Sequence, residues 1–256
     1  MVTLKIKNPF NAPVYHMETV TSTMDISRQF ALDNKPHGTV ITADFQEAGR
    51  GRLRGRYWQM EKKSGLPFTI LLRYLQIENI PPALTLRTGL AVSAAIEDCF
   101  PSLKNKVFVK WPNDIMINSR KTAGILCEAE SGNVHIGIGI NTAQKIFPAY
   151  LQEKAASIAI AANTDVTLND KFILLEKILE QLHEELISAE KIKTWKTRLE
   201  NRLYKKGSNV IFIEGEADSG REIKGCLCGI GETGELLILP DGGKTARSFF
   251  TGELKI

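Results

Sequence analysis

Four arginines and three glycines fall within residues 49–56 of the stretch Gln46-Glu47-Ala48-Gly49-Arg50-Gly51-Arg52-Leu53-Arg54-Gly55-Arg56-Tyr57-Trp58. Glycine lets main-chain N–H groups come close to an anion. Arginine adds permanent, planar, many-donor positive charge. Together they suit a phosphate or a carboxylate better than a neutral ligand, and Trp58 adds a face on which a base can stack. Alone, the stretch reads equally as a solvated basic loop or an RG-type RNA-contacting segment. Its neighbours decide between these.

Lys110-Trp111-Pro112-Asn113-Asp114 delivers a lysine from a strand end onto a proline turn that carries an amide and a carboxylate. Such a set can hold a nucleotide phosphate and its Mg²⁺; Asn-Asp also simply makes turns. Lys121-Thr122-Ala123-Gly124-Ile125-Leu126-Cys127-Glu128 is followed by Val134–Asn141, where the alternation is strict. Val134, Ile136, Ile138 and Ile140 share one face, and His135, Gly137, Gly139 and Asn141 the other. The second face lacks two side chains, which leaves a groove where a ligand or a covering element can approach.

The elements that must position these residues follow from periodicity. Ser22 and Thr23 precede a helically spaced segment and read as its cap. Thr39 to Ala43 and Leu66 to Leu75 read as strands. Pro81-Pro82 opens a helix that ends before Pro101. Four short apolar runs between residues 107 and 140 are separated by turns too tight for crossover helices, so they form antiparallel meanders. Thr167 and Asp170 form a capping box at the head of an amphipathic helix, and a basic helix covers about 191–205. After Gly207 come short β-type runs between glycine turns. The expected fold is α+β: a mixed, largely antiparallel sheet covered by helices over residues 1–205, then a small β-barrel over 206–256.

Composition sets bounds. The chain has 256 residues, 43% apolar and 24% charged, near the globular average, which excludes a disordered or disulfide-stapled chain. A net charge of +4 does not demand a nucleic-acid partner. The four cysteines match no zinc spacing and read as structural thiols of a reducing compartment. No apolar leader and no bilayer-length apolar run occur, so the expectation is a cytoplasmic protein with no membrane partner.

The ordered set GRGR…GRYW, KWPND, K-x-A-G-I-L-x-E and GIGIN resembles the catalytic domain of biotin–protein ligases, a class II synthetase-like fold, over about Ser22 to Asn141. The helical segment and a C-terminal SH3-like barrel extend the likeness over nearly the whole chain. The pattern begins within the first twenty residues or so, which implies the single-function type without a DNA-binding domain and hence no DNA partner. Two departures stand out. The family loop G-R-G-R-x-G-R-x-W is one residue longer here, Leu53-Arg54 filling its single-residue gap. Ser22-Thr23-Met24 also stands where the family has S-T-N.

The resemblance implies a ligase that forms a carbon–nitrogen bond, with ATP and biotin as substrates, Mg²⁺, and a biotin carboxyl carrier domain as partner. It implies catalytic roles for Lys121, Arg50, Arg52 and Asp114. It places biotin on Ser22, Thr23, Met24, Gln46, Gly49, Arg50, Gly51, Arg52, Lys121, Gly124 and Gly137. ATP falls to Arg50, Arg52, Trp58, Lys110, Asn113, Lys121 and Asn141, with Trp58 under adenine and Asn141 at its polar edge. Asn113 and Asp114 are the expected Mg²⁺ ligands. Lipoate or octanoate ligases of the same superfamily are the nearest alternative, but they lack the pairing of GRGR with KWPND. An RG-type RNA-binding module is the alternative of a different class. A homodimer is left open.

Overall fold

A computed structural model describes residues 1–256 except Arg54, Arg56, Gln59, residues 216–219, Ile256 and the side chain of Ile77. Strands β1 (Val2–Thr3), β2 (Val14–Val20) and β3 (Thr39–Gln46) flank helix α1 (Thr23–Leu32). Strand β4 (Gly65–Arg73) leads to α2 (Leu84–Cys99), and β5 (Val107–Lys110), β6 (Asp114–Ile117), β7 (Arg120–Glu130) and β8 (Asn133–Asn141) follow. Helices α3 (Ile158–Ala162), α4 (Leu168–Ile187) and α5 (Ala189–Arg202) come next, then β9 (Asn209–Glu214), β10 (Arg221–Ile230), β11 (Leu236–Pro240), β12 (Arg247–Phe249) and β13 (Glu253–Leu254).

The first eight strands form one sheet in the order β1-β2-β3-β4-β8-β7-β6-β5. Only β2 and β3 pair in parallel; the other pairs are antiparallel. The sheet is thus mixed and largely antiparallel, as the spacing of the short runs requires. Central β4 is buried along nearly its whole length because both faces are covered. Helix α1 packs across β3, β4 and β8 on one face, and α2 packs across β5, β6 and β7 with α4 and α5 behind it. Helix α4 begins at the expected capping box: Thr167 Oγ1 accepts from Asp170 N at 3.2 Å and Asp170 Oδ2 accepts from Thr167 N at 2.8 Å.

Helix α2 starts at Leu84, not at the two prolines. Its N-cap residue, Ala83, is left-handed (φ 54°) and caps no N–H with its side chain. The proline pair therefore ends the preceding segment. The parallel strand β2 was not legible as a strand, because His16, Met17 and Glu18 break the apolar alternation.

The last five strands form an open antiparallel sheet in the order β12-β11-β10-β9-β13. Its apolar side is continuous with the main core: Phe212, Leu227 and Ile238 belong to the same buried cluster as Phe68, Ile115 and Leu175. Trp111 joins the two, its ring 5.9 Å from that of Phe212 and its Nε1 donating to Gly234 O at 3.0 Å. Among the described residues no helix is long and apolar enough to cross a membrane.

Candidate active site

The sheet face that carries α1 opens beside that helix's first turn into a cavity of about 160 Å³. Its floor forms because two strand positions lack side chains. A Cβ on Gly137 would lie 2.7 Å from Met24 Sδ, and one on Gly139 would lie 2.7–3.0 Å from three atoms of the Trp58 ring. The two large side chains therefore lie on the strand itself, and glycine is what lets them approach. Trp58 N also donates to Gly49 O at 2.9 Å, and Arg50 and Tyr57 form an antiparallel bridge, so the loop folds back on itself.

At the head of α1, Ser22 is extended and its Oγ accepts from Met24 N at 3.3 Å. Gln46, at the end of β3, accepts with Oε1 from Thr23 N at 2.8 Å and from Thr23 Oγ1 at 2.9 Å. Thr69 in turn donates to Thr23 Oγ1 at 2.9 Å. These bonds fix the helix start and the amide end of Gln46 at the cavity.

The opposite wall is cationic and built on strands. Lys110 pairs in register with Asp114 across β5 and β6, and Asp114 with Gly124 across β6 and β7. In an unbroken strand Lys121 and Gly124 would point to opposite faces. The register shifts at this point: Ile115 faces Ala123 but Met116 faces Lys121. Thr122 is the extra residue, fully buried. This irregularity re-aims Lys121 to the cavity side, over the space that Gly124 leaves. Lys121 Nζ then lies 2.6 Å from Asp114 Oδ1, and Lys110 Nζ lies 4.0 Å from Asp114 Oδ2.

The loop adds Arg50, Gly51 and Arg52 to the cavity. Arg50 Nη2 donates to Asp25 Oδ1, and Arg52 Nη2 donates to Gly252 O of the C-terminal sheet at 2.9 Å. Glu253 also lines the cavity, 200 residues along the chain from the loop. Its place comes from tertiary packing, although the Gly252-Glu253 pair is conspicuous at the chain end.

Most of the expected residues thus surround one space: Ser22, Thr23, Met24 and Gln46 on one side, Lys110, Asn113, Asp114, Lys121 and Gly124 on the other, with Gly137 below. Gly49 lies just behind the wall, against the Trp58 carbonyl. Asn141 lies outside this lining: it is buried, and its Nδ2 donates to Ala156 O at 3.3 Å. Trp58 is placed on the sheet floor and not free at the loop tip. Arg54, which fills the lengthened gap, and Arg56 lie outside the described residues.

Both expected Mg²⁺ ligands have a side-chain atom engaged within the protein. Asp114 is already held between two ammonium groups, and Asn113 Nδ2 donates to Ile125 O at 2.9 Å. Among the described residues no group of three or more His, Cys, Asp or Glu could hold a metal.

Burial acts on the groups beneath the site. His135, on the same face of β8 as the two glycines, is pushed below its ordinary value by burial, with Arg28 adding to the effect, and its Nδ1 lies 2.7 Å from Ser27 Oγ. Cys127 is raised by burial to about 11, which makes it an inert thiol.

Comparison with known proteins agrees with this geometry. Residues 16–142 match the model of the biotin/lipoate A/B protein ligase family. A solved biotin protein ligase from Aquifex aeolicus, in complex with biotin and ATP, is 30% identical with a TM-score of 0.77, covering 94% of this chain and 97% of that one. The chain belongs to this family. The bifunctional ligase/repressor BirA of Bacillus subtilis is 37% identical over 164 residues, 60% of this chain and 48% of that protein. BirA of Escherichia coli is 29% identical over 87% of this chain and 69% of its own length. The chain spans about half the length of the first curated relatives it matches. The family match takes in every cavity residue named above except Glu253, so the C-terminal sheet contributes from outside the matched range.

Proposed function

We propose that the chain activates biotin with ATP and passes the biotinyl group to one lysine of a biotin carboxyl carrier domain. A carboxylate oxygen of biotin attacks the α-phosphorus and pyrophosphate leaves, giving biotinyl-5′-adenylate. The carrier amine then attacks the acyl carbon, an amide forms, and AMP leaves. The observation that carries this reading is the convergence of Arg50, Arg52, Lys110 and Lys121 on one cavity with a two-glycine floor. Two anions must touch there, and fixed cations lower that barrier by positioning and by stabilising charge as it builds. The likeness to a ligase solved with biotin and ATP supports it, as does 27% identity over 66% of this chain to a biotin–[acetyl-CoA-carboxylase] ligase of Mycobacterium tuberculosis.

In this reading Lys121 meets the carboxylate and α-phosphate, Arg50 and Arg52 cover carboxylate and phosphates, and Lys110 takes the outer phosphates. Thr23, Ser22 and Gln46 address the ureido ring. Trp58, lying on Gly139, walls the biotin trough and leaves adenine to other groups. Asp114, 2.6 Å from Lys121 Nζ and 4.0 Å from Lys110 Nζ, holds both lysines in place. No step is assigned to Asn113 or Asp114 as metal ligands. Residues 1–205 form the catalytic unit, and the five-stranded sheet of residues 206–256 backs Arg52 through Gly252 O.

The test mixes purified protein with biotin, ATP, Mg²⁺ and a carrier domain, with a parallel lipoate reaction. Pyrophosphate release and avidin-detectable label on the carrier are expected with biotin only. Label with lipoate instead would move the chain to the lipoyl branch, and no label with either would reject the reading.

A further inference from the structure

Two carboxylates, one on each wall, back cations of the cavity. Asp114 backs Lys110 and Lys121 on the sheet wall. On the other wall Asp25 Oδ1 accepts from Arg50 Nη2 and, at 3.2 Å, from Arg28 Nη1. Asp25 is not itself at the cavity, although Ser22, Thr23 and Met24 just before it are. Arg28 is gripped in turn by β7: its Nη2 donates to Glu128 Oε2, and its Nε lies 3.5 Å from Glu130 Oε2. A line of alternating charge therefore runs from the sheet through α1 to the loop.

Physical reasoning gives this line a task. Arg50 sits on a loop among like charges, and its side chain is 36% exposed. Without a counter-anion its long side chain would turn to water. We infer that Asp25 is a positioning residue: it holds the Arg50 guanidinium at the cavity wall by one nitrogen, leaves the other nitrogens to the substrate anion, and is itself kept in place by Arg28 and Glu128. The inference rests on the reading of Arg50 as an anion holder. It gives Asp25 a role that its place in the first turn of α1, where an acidic residue favours the helix, would not.

The experiment compares wild type with Asp25→Ala, Asp25→Asn, Asp25→Glu and Glu128→Gln. Pyrophosphate release is followed as biotin is varied. Tryptic cleavage of the Arg50–Gly51 bond is followed by mass spectrometry, with and without saturating biotin and a non-hydrolysable ATP analogue. Asp25→Ala is expected to lower kcat/KM for biotin about two- to fivefold, the scale of a half-exposed ion pair. Asp25→Asn should fall between it and wild type, Asp25→Glu should restore the wild-type value, and Glu128→Gln should act in the same direction as Asp25→Ala but less. Cleavage should be faster in ligand-free Asp25→Ala and equal to wild type once ligands are bound. Wild-type kinetics and cleavage in Asp25→Ala, or an Asp25→Glu no better than Asp25→Ala, would overturn the inference. A wild type that releases no pyrophosphate with biotin would instead overturn the functional reading, and the cleavage comparison would still decide whether Asp25 holds Arg50.

Discussion

The two walls of the cavity are built differently. On the sheet wall Lys110, Asp114 and Lys121 belong to strands whose ladder is backed by fully buried Ile115, Met116 and Ile117. Their positions are set by the core before any ligand arrives. On the loop wall Arg50 reaches Asp25, Arg52 reaches Gly252 O of the C-terminal sheet, and Trp58 rests on Gly139. Each of these contacts is one that a substrate group could replace or strengthen. The sheet wall therefore carries the charge that the chemistry always needs, and the loop wall carries the charge that closes with the ligand.

The largest effect expected from this contrast is on the sheet wall. Lys121→Ala should cut adenylate formation on the order of 10²- to 10³-fold, by analogy with the loss of one well-placed oxyanion donor. The side chain is 40% exposed, so the fold should survive with a change within about 1 kcal/mol. Arg52→Ala should show itself more in KM than in kcat, because its wall assembles with the substrate. Steady-state pyrophosphate release and a thermal melt on each variant check both statements. Equal kcat losses in the two variants would erase the distinction between the walls.

An intermediate effect tests how the loop wall is seated. In Gly139→Ala the new methyl would press into the Trp58 ring, which must lift from the strand. Overpacking of this kind costs about 1–3 kcal/mol. If that strain falls on loop closure, biotin affinity drops on the order of tenfold while the melting temperature barely moves. A large loss of stability with unchanged affinity would place Trp58 in the core of the fold and outside the trough.

Much of this arrangement was legible in the chain. Alternation in Val134–Asn141 revealed both the core face and the glycine face, and the capping box and turn residues gave α4 and the meander. What escaped has a physical reason. Lys121 and Gly124 lie three apart, so alternation puts them on opposite faces, and only the register shift at Thr122 brings them together. Asn141 belongs by parity to the glycine face, but it lies where the strand ends and its amide is taken by Ala156 O, a loop contact that no local pattern encodes. Glu253 and Gly252 reach the site through packing across 200 residues. Asp25 looks like an ordinary first-turn acid of a helix until its neighbours in space are known.

The smallest effect concerns what lies under α1. His135 is buried against Ser27, and burial holds its folded-state value below the roughly 6.5 of an unfolded histidine. Above that value both states are neutral and His135 adds no pH slope. As pH falls through about 6.5 the unfolded chain takes up a proton that the folded chain does not, so stability is lost in the acid direction. His135→Gln should lower the melting temperature at pH 7–8, where the buried bond to Ser27 is lost, and should flatten its fall below about pH 6.5 relative to wild type. Because His135 pins α1, and α1 carries Ser22, Thr23 and Asp25, the loop wall should loosen in acid before the sheet wall does. Hydrogen-exchange protection factors, each referred to the intrinsic rate at its own pH, should therefore fall in residues 23–32 at pH 5.5 against pH 7.5 while those of residues 121–126 stay high. Equal acid sensitivity of the two segments, or parallel melting curves for the variant and wild type, would show that the two walls share a single scaffold.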